Sequence, residues 1–162
     1  MESKAILDQF LNVPISSSQG VFEIFAQLPG AIWRKGEKPL EQFLYVPGTR
    51  EDRVVLSAHA DTVWDSAYGN SREAVLRYED GIYASGNEAC GIGADDRAGC
   101  AMIWALRDSG HSLLILDGEE KGKVGARYLN RRAAPSAPAS PLARRPAPLR
   151  GPCGRRSSAQ PD

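Results

Sequence analysis

Long apolar runs are missing from this sequence: no stretch approaches the roughly 20 residues needed to cross a bilayer. The opening Met1-Glu2-Ser3-Lys4 lacks the basic-then-apolar order of a secretory leader. No membrane partner is expected, and the expected location is cytoplasmic. Cysteine is scarce as well. Cys90, Cys100 and Cys153 stand far apart, with neither the paired spacing of a thiolate metal site nor the density of a disulfide framework. Cys100 reads as a core residue. Net charge is zero over the whole chain, with 20 acids against 20 Lys and Arg, but it is unevenly spread. Residues 1–130 hold 19 of those acids and only 13 of the bases, a balance of about −6, which leaves about +6 on residues 131–162.

What is present suits one ordinary globular domain: 162 residues, 42% of them hydrophobic. Ile6, Leu7, Phe10 and Leu11 recur at helical spacing after Ser3 and predict a short amphipathic helix ending before Pro14. A second helix is predicted behind the N-cap candidates Ser16, Ser17 and Ser18. Its core-packing stripe is Val21, Phe22, Phe25 and Leu28, and Pro29-Gly30 stops it. The period then changes. Residues 42–46 before Pro47-Gly48 read as a strand, and residues 53–58 as a more deeply buried one with His59 at its C-terminal end. Between Ala74 and Ser85 the pattern is a hairpin turning at Asp80-Gly81, a dipeptide suited to a type I′ turn.

From Asp95 to about Arg107 the residues Ala98, Ala101, Met102 and Leu106, with Ile103 and Trp104 beside them, predict a largely buried helix closed by Gly110. Residues 112–116 form another apolar strand candidate. Strand, helix and strand of these lengths predict an α/β layer architecture, in which sites gather beyond the carboxyl ends of the strands. His59, Asp95 and Glu119-Glu120 all fall there.

After residue 130 the character of the chain changes. Residues 131–162 carry seven Pro, seven Ala and seven Arg, with Asp162 as their one acid. Such a composition buries too little apolar surface to offset its ordering entropy, so the expected division is a domain over 1–130 and a disordered Pro/Ala/Arg-rich tail over 131–162. The tail's basic charge suits loose contact with nucleic acid or another acidic surface. No aromatic residue interleaves its arginines, so nucleic acid is not the expected partner.

Three acid-bearing segments at strand-to-loop junctions carry the chemistry, and each admits a second reading. His59-Ala60-Asp61 offers an imidazole to a metal with a carboxylate behind it, or simply a hydrogen-bonded His beside a turn Asp. Asp95-Asp96 offers carboxylate ligands, or caps a helix N-terminus. Glu119-Glu120 offers two carboxylates to a metal centre, or is simply a solvated loop pair. Gly91-Ile92-Gly93 lacks the third glycine of a dinucleotide fingerprint, and Asp95-Asp96 would repel a pyrophosphate at that helix start.

The ordered set His59-Ala60-Asp61-Thr62-Val63, Gly93-Ala94-Asp95-Asp96-Arg97-Ala98-Gly99 and Glu119-Glu120-Lys121-Gly122-Lys123-Val124-Gly125-Ala126 resembles the metal-site motifs of the co-catalytic zinc exopeptidases. That is the superfamily of peptidase T, glutamate carboxypeptidase and acetylornithine deacetylase. Phe10-Leu11-Asn12-Val13-Pro14 followed by serines is similar to that family's start, and the resemblance covers about residues 5–130.

The resemblance implies an incomplete three-layer α/β/α catalytic domain with a central mixed sheet and a dinuclear zinc site, zinc being replaceable by cobalt or manganese. It implies that His59 ligates the first metal with Asp61 supporting it, that Asp95 bridges both metals, that Glu120 ligates the second, and that Glu119 is the general base. Asp96 is then a cap or ligand support, and His111 is structural. The implied substrate is a peptide or N-acyl amino acid, the implied reaction is metal-dependent hydrolysis of its amide bond, and the full-length family implies a possible homodimer. The family also uses a further carboxylate ligand and a second histidine downstream, together with a lid or dimerisation domain. Here no Asp or Glu lies between Lys121 and Pro161, and no His follows His111. The expectation is therefore the N-terminal part of such a hydrolase joined to an unrelated tail, with weak metal binding and little turnover alone. The alternative from another class is a non-catalytic binding protein whose basic tail contacts nucleic acid or an acidic surface.

Overall fold

The computed structural model describes residues 3–52, 54–64, 76–86 and 90–133. The chain is a mixed α/β fold built on a four-stranded sheet. In chain order its elements are α1 (Ser3–Leu11), α2 (Gln19–Phe25), β1 (Ile32–Lys35), β2 (Gln42–Val46), β3 (Val55–His59), β4 (Leu76–Glu79), β5 (Ile82–Ser85), α3 (Ala94–Ala105), β6 (Ser112–Leu116) and α4 (Val124–Ala133). The sheet order is β1-β2-β6-β3. β2 runs antiparallel to both β1 and β6, while β3 runs parallel to β6.

Alternation along the strands decides what each face buries. Leu44, Val46, Ala58, Leu113 and Ile115 join Phe10 of α1, Phe22 and Phe25 of α2, and Cys100, Ile103 and Trp104 of α3 in one core. Aromatic rings knit that layer together. Phe10 and Trp104 each pack on Phe25, with centroids 5.6 and 5.4 Å away, and Phe22 stacks on Trp33 at 5.3 Å. Phe43 points the other way and meets Tyr128 of α4 at 5.9 Å. Helices therefore cover both faces of the sheet.

The expected helix after Ser3 and the strands at 42–46 and 112–116 are present with those bounds. The hairpin turns at Asp80 and Gly81, both with positive φ (50° and 82°), as a type I′ turn requires. Ala74, Val75 and Arg53 lie outside the described residues, as does the segment 134–162 on which the expected tail partner falls. α4 continues through residues 131–133, three positions past the expected domain end.

Three local expectations are corrected. The strand ending at His59 is an edge strand among the described residues, and Val54 and Val55 are 44% and 47% exposed, because β6 pairs with only one of its sides. On α3 the buried face is Arg97, Cys100, Ala101, Ile103 and Trp104, while Met102 and Leu106 face outward. Met102 and Leu106 share helical spacing with Ala98 and Ala101, but the helix turns the neighbouring stripe of Cys100, Ile103 and Trp104 to the core, where Trp104 packs on Phe10 and Phe25. Ser18 occupies the N-cap position of α2 without capping it: its hydroxyl donates to Asp117 instead. Cys100 is fully buried, as expected, and burial pushes its thiol up to about 12.

Candidate metal centre

Parallel pairing of β3 and β6 places the ends of two strands side by side, with His59 in register with Leu116. Ala60 continues the ladder by donating its N–H to the Leu116 carbonyl at 2.8 Å. The chain after β3 thus delivers Asp61 beneath the loop that follows β6. Asp61 is fully buried, and its two carboxylate oxygens accept the backbone N–H groups of Glu119 and Glu120, each at 3.1 Å. Burial would raise the Asp61 pKa, but His59 and those two amides outweigh it and hold the carboxyl below its ordinary value.

His59 lies between two carboxylates. Its Nδ1 is 3.5 Å from Asp61 Oδ1 and 3.1 Å from the Asp61 carbonyl oxygen, and its Nε2 is 3.3 Å from Asp95 Oδ1. The hydrogen bond with Asp61 is the main cause of an imidazole pKa raised to about 9. The Asp95 side chain is largely exposed, whereas the adjoining Asp96 turns inward across a cis Asp95–Asp96 peptide. Asp96 accepts the Gly99 N–H at 3.1 Å, which caps the regular part of α3, and accepts the His59 N–H at 3.2 Å. Burial raises its pKa.

His59, Glu119 and Glu120 each present a ligand atom within 4.8 Å of the other two, a group of metal-capable side chains among the described residues. Imidazole and carboxylate donors in this number suit zinc, cobalt or manganese. The fold therefore draws together four of the five residues singled out in sequence, His59, Asp61, Glu119 and Glu120, and sets Asp95 against the outer nitrogen of His59. His111 stands apart, before β6, with Nδ1 3.6 Å from Asp52.

Two fully buried polar residues had no role assigned from the sequence. Arg97 is fully buried and donates to the carbonyls of Pro14 and Ser17, tying the α1–α2 connection to the base of α3. Asp117 is fully buried at the end of β6 and accepts bonds from Ser18, Gln42 and the Gly118 N–H, with burial raising its pKa. An acid directly after an apolar strand was the available signal for Asp117.

No protein-family model matches the sequence, and no curated protein matches it at a significant level. The fold does match solved structures. It is similar to the crystal structure of aminopeptidase PepT from Bacillus cereus ATCC 10987, with a TM-score of 0.57 and 21% identity over 82% of this chain and 41% of that one. It is also similar to aminoacylhistidine dipeptidase from Vibrio alginolyticus, with a TM-score of 0.51 and 21% identity over 77% of this chain and 29% of that one. The chain thus spans less than half the length of either structure, and what it shares with them is the mixed α/β fold.

Proposed function

We propose that this chain carries the metal-binding half of a peptidase-like hydrolase acting on peptide or N-acyl amino acid amide bonds. The observation that carries the reading is the meeting of His59 with Glu119 and Glu120, about 60 positions away, at the ends of two parallel strands. The likeness in fold to an aminopeptidase and a dipeptidase supports it. His59, Asp95 and Glu120 would hold the metal ions, zinc by resemblance, with Asp61 fixing the imidazole from behind. Bound divalent ions in such a centre lower the pKa of water and polarise the scissile carbonyl.

The protein's own groups supply the rest. Asp61 orients His59 through Nδ1 and, with its other contacts, aims the Glu119-Glu120 backbone. Glu119 is 40% exposed, with Lys123 Nζ 3.9 Å from its carboxylate, so it can meet a water. As general base it takes that water's proton and passes it to the leaving amine. Two ions sharing His59, Asp95 and Glu120 would each have two of these side chains, short of the three or four protein ligands that zinc usually takes. Weak metal binding and slow turnover are therefore proposed for this chain alone.

The test is a calorimetric zinc titration of residues 1–162 beside His59→Ala. Binding that is present in the parent chain and lost in the variant is expected; equal heats in both would remove the reading.

A further inference from the structure

Three consecutive backbone N–H groups, those of Gly118, Glu119 and Glu120, are received by two buried carboxylates: Asp117 Oδ1 takes the first at 3.0 Å, and Asp61 takes the other two. Asp61 reaches the loop from β3. Asp117 sits at the loop's own root, and its other oxygen, Oδ2, accepts Ser18 Oγ at 2.9 Å and Gln42 Nε2 at 2.5 Å. Gln42 in turn accepts Trp33 Nε1 at 3.0 Å. The loop's base is thereby tied to the start of α2, the first residue of β2, and β1.

From this geometry we propose that Asp117 is a positioning residue of the metal centre, setting the placement of the Glu119-Glu120 loop through Ser18 and Gln42. The proposal deepens the hydrolase reading above and rests on it. A buried carboxylate whose hydrogen-bond donors here are all neutral is a poor way to stabilise a core, since an apolar side chain of similar size does so without desolvating a charge. Its use is directional. Gly118 has φ +66°, and the turn beyond it is closed by Val124 N–H to the Gly118 carbonyl at 2.9 Å and Lys123 N–H to the Glu119 carbonyl at 3.1 Å. With the turn closed on itself and its far end held by the Gly125 N–H to the Asp117 carbonyl at 2.8 Å, its orientation relative to β3 depends on the grip on residues 118–120. Asp61 fixes the end that bears the glutamates, and Asp117 fixes the hinge.

Amide hydrogen exchange on the metal-free protein tests this without relying on activity. In Asp117→Ala, protection of the Glu119 and Glu120 amides is expected to fall roughly tenfold, the loss of a hydrogen bond to a charged group. The His59 amide, held by Asp96, and the β6 amides should keep theirs. Asp117→Asn, which retains an acceptor oxygen, should restore protection to within about threefold. Ser18→Ala and Gln42→Ala, milder changes that serve if Asp117→Ala does not fold, should each lower protection at Glu119 and Glu120 about threefold.

Unchanged exchange at Glu119 and Glu120 in all of these variants, or a loss spread evenly over β2 and β6, would overturn the proposal. Cobalt added to the parent chain separates the two claims. Absence of a cobalt spectrum in the parent chain removes the metal reading and leaves the exchange result to judge Asp117. A parent spectrum that is altered in Asp117→Ala and recovered in Asp117→Asn supports both.

Discussion

The backbone N–H of Glu119 donates to Asp61 Oδ1 at 3.1 Å across 58 positions of sequence. One buried carboxylate thus holds both the imidazole of the candidate site and the loop that brings its acids, so the site is assembled by a side chain that no ligand need touch.

Replacing that carboxylate should loosen fold and site together. Asp61→Ala leaves two buried amides without their acceptor and takes away the carboxylate beside His59 Nδ1, and a destabilisation of about 3 kcal/mol is expected. Urea unfolding checks it. The midpoint should fall with an unchanged m value, and an unchanged midpoint would mean that the three contacts are energetically idle.

Glu119 and Glu120 should separate by role. In a full-length relative carrying these motifs, the substitution equivalent to Glu119→Gln should lower turnover by about 10²-fold or more while bound metal is retained. Metal analysis beside steady-state kinetics distinguishes the outcomes. Retained turnover would dismiss Glu119 as the base.

Cys100 should be chemically silent while the protein is folded. Its thiol pKa moves from 9.0 to about 12 because burial disfavours the thiolate. The folded state therefore holds the proton more tightly than the unfolded state. The associated stability is fully present below pH 9 and is lost as pH rises from 9 toward about 12. Peptide mapping after alkylation at pH 8 should find Cys100 unmodified until denaturant is added; modification in the native protein would contradict its burial.

Gly125 should tolerate no side chain. A Cβ there would lie 2.5 Å from the Asp117 carbonyl oxygen and 2.6 Å from that of Gln42, backbone atoms of two strand ends that yield only by moving the sheet. Gly125→Ala is expected to lower stability by about 1–3 kcal/mol. The comparison is Met102→Lys, 67% exposed on α3, which should change stability by less than about 0.5 kcal/mol. Thermal melts of the two variants measure the contrast.

Local pattern made much of the fold legible. Apolar alternation marked β2 and β6, helical spacing marked α1, and the Asp80-Gly81 dipeptide marked its hairpin. β1 escaped because Ile32-Trp33-Arg34-Lys35 is mostly exposed at a sheet edge, and its partner strand, rather than its own periodicity, makes it a strand. α4 escaped because Tyr128 is its deeply buried anchor, and the run of arginines that follows reads as a change of composition. The exposed side of Met102 was misassigned because two adjoining stripes of α3 are both apolar, and packing against α1 and α2 decides which of them is buried.

The sequence by itself determined which residue types stand at which strand ends: an imidazole and a carboxylate after β3, two acids at the start of α3, two more after β6. Spacing along the chain is enough for that, because a strand's end and a helix's start are encoded within a few residues. Only the tertiary structure decided that His59 and Glu119-Glu120 share one place, that Asp61 and Asp117 are buried beneath them, and that Ser18 turns from capping α2 to bonding Asp117. Those facts depend on the parallel register of β3 with β6 and on the packing of α1 to α3 over it. Such long-range pairings satisfy polar groups and exclude water collectively, and no short stretch of sequence carries them.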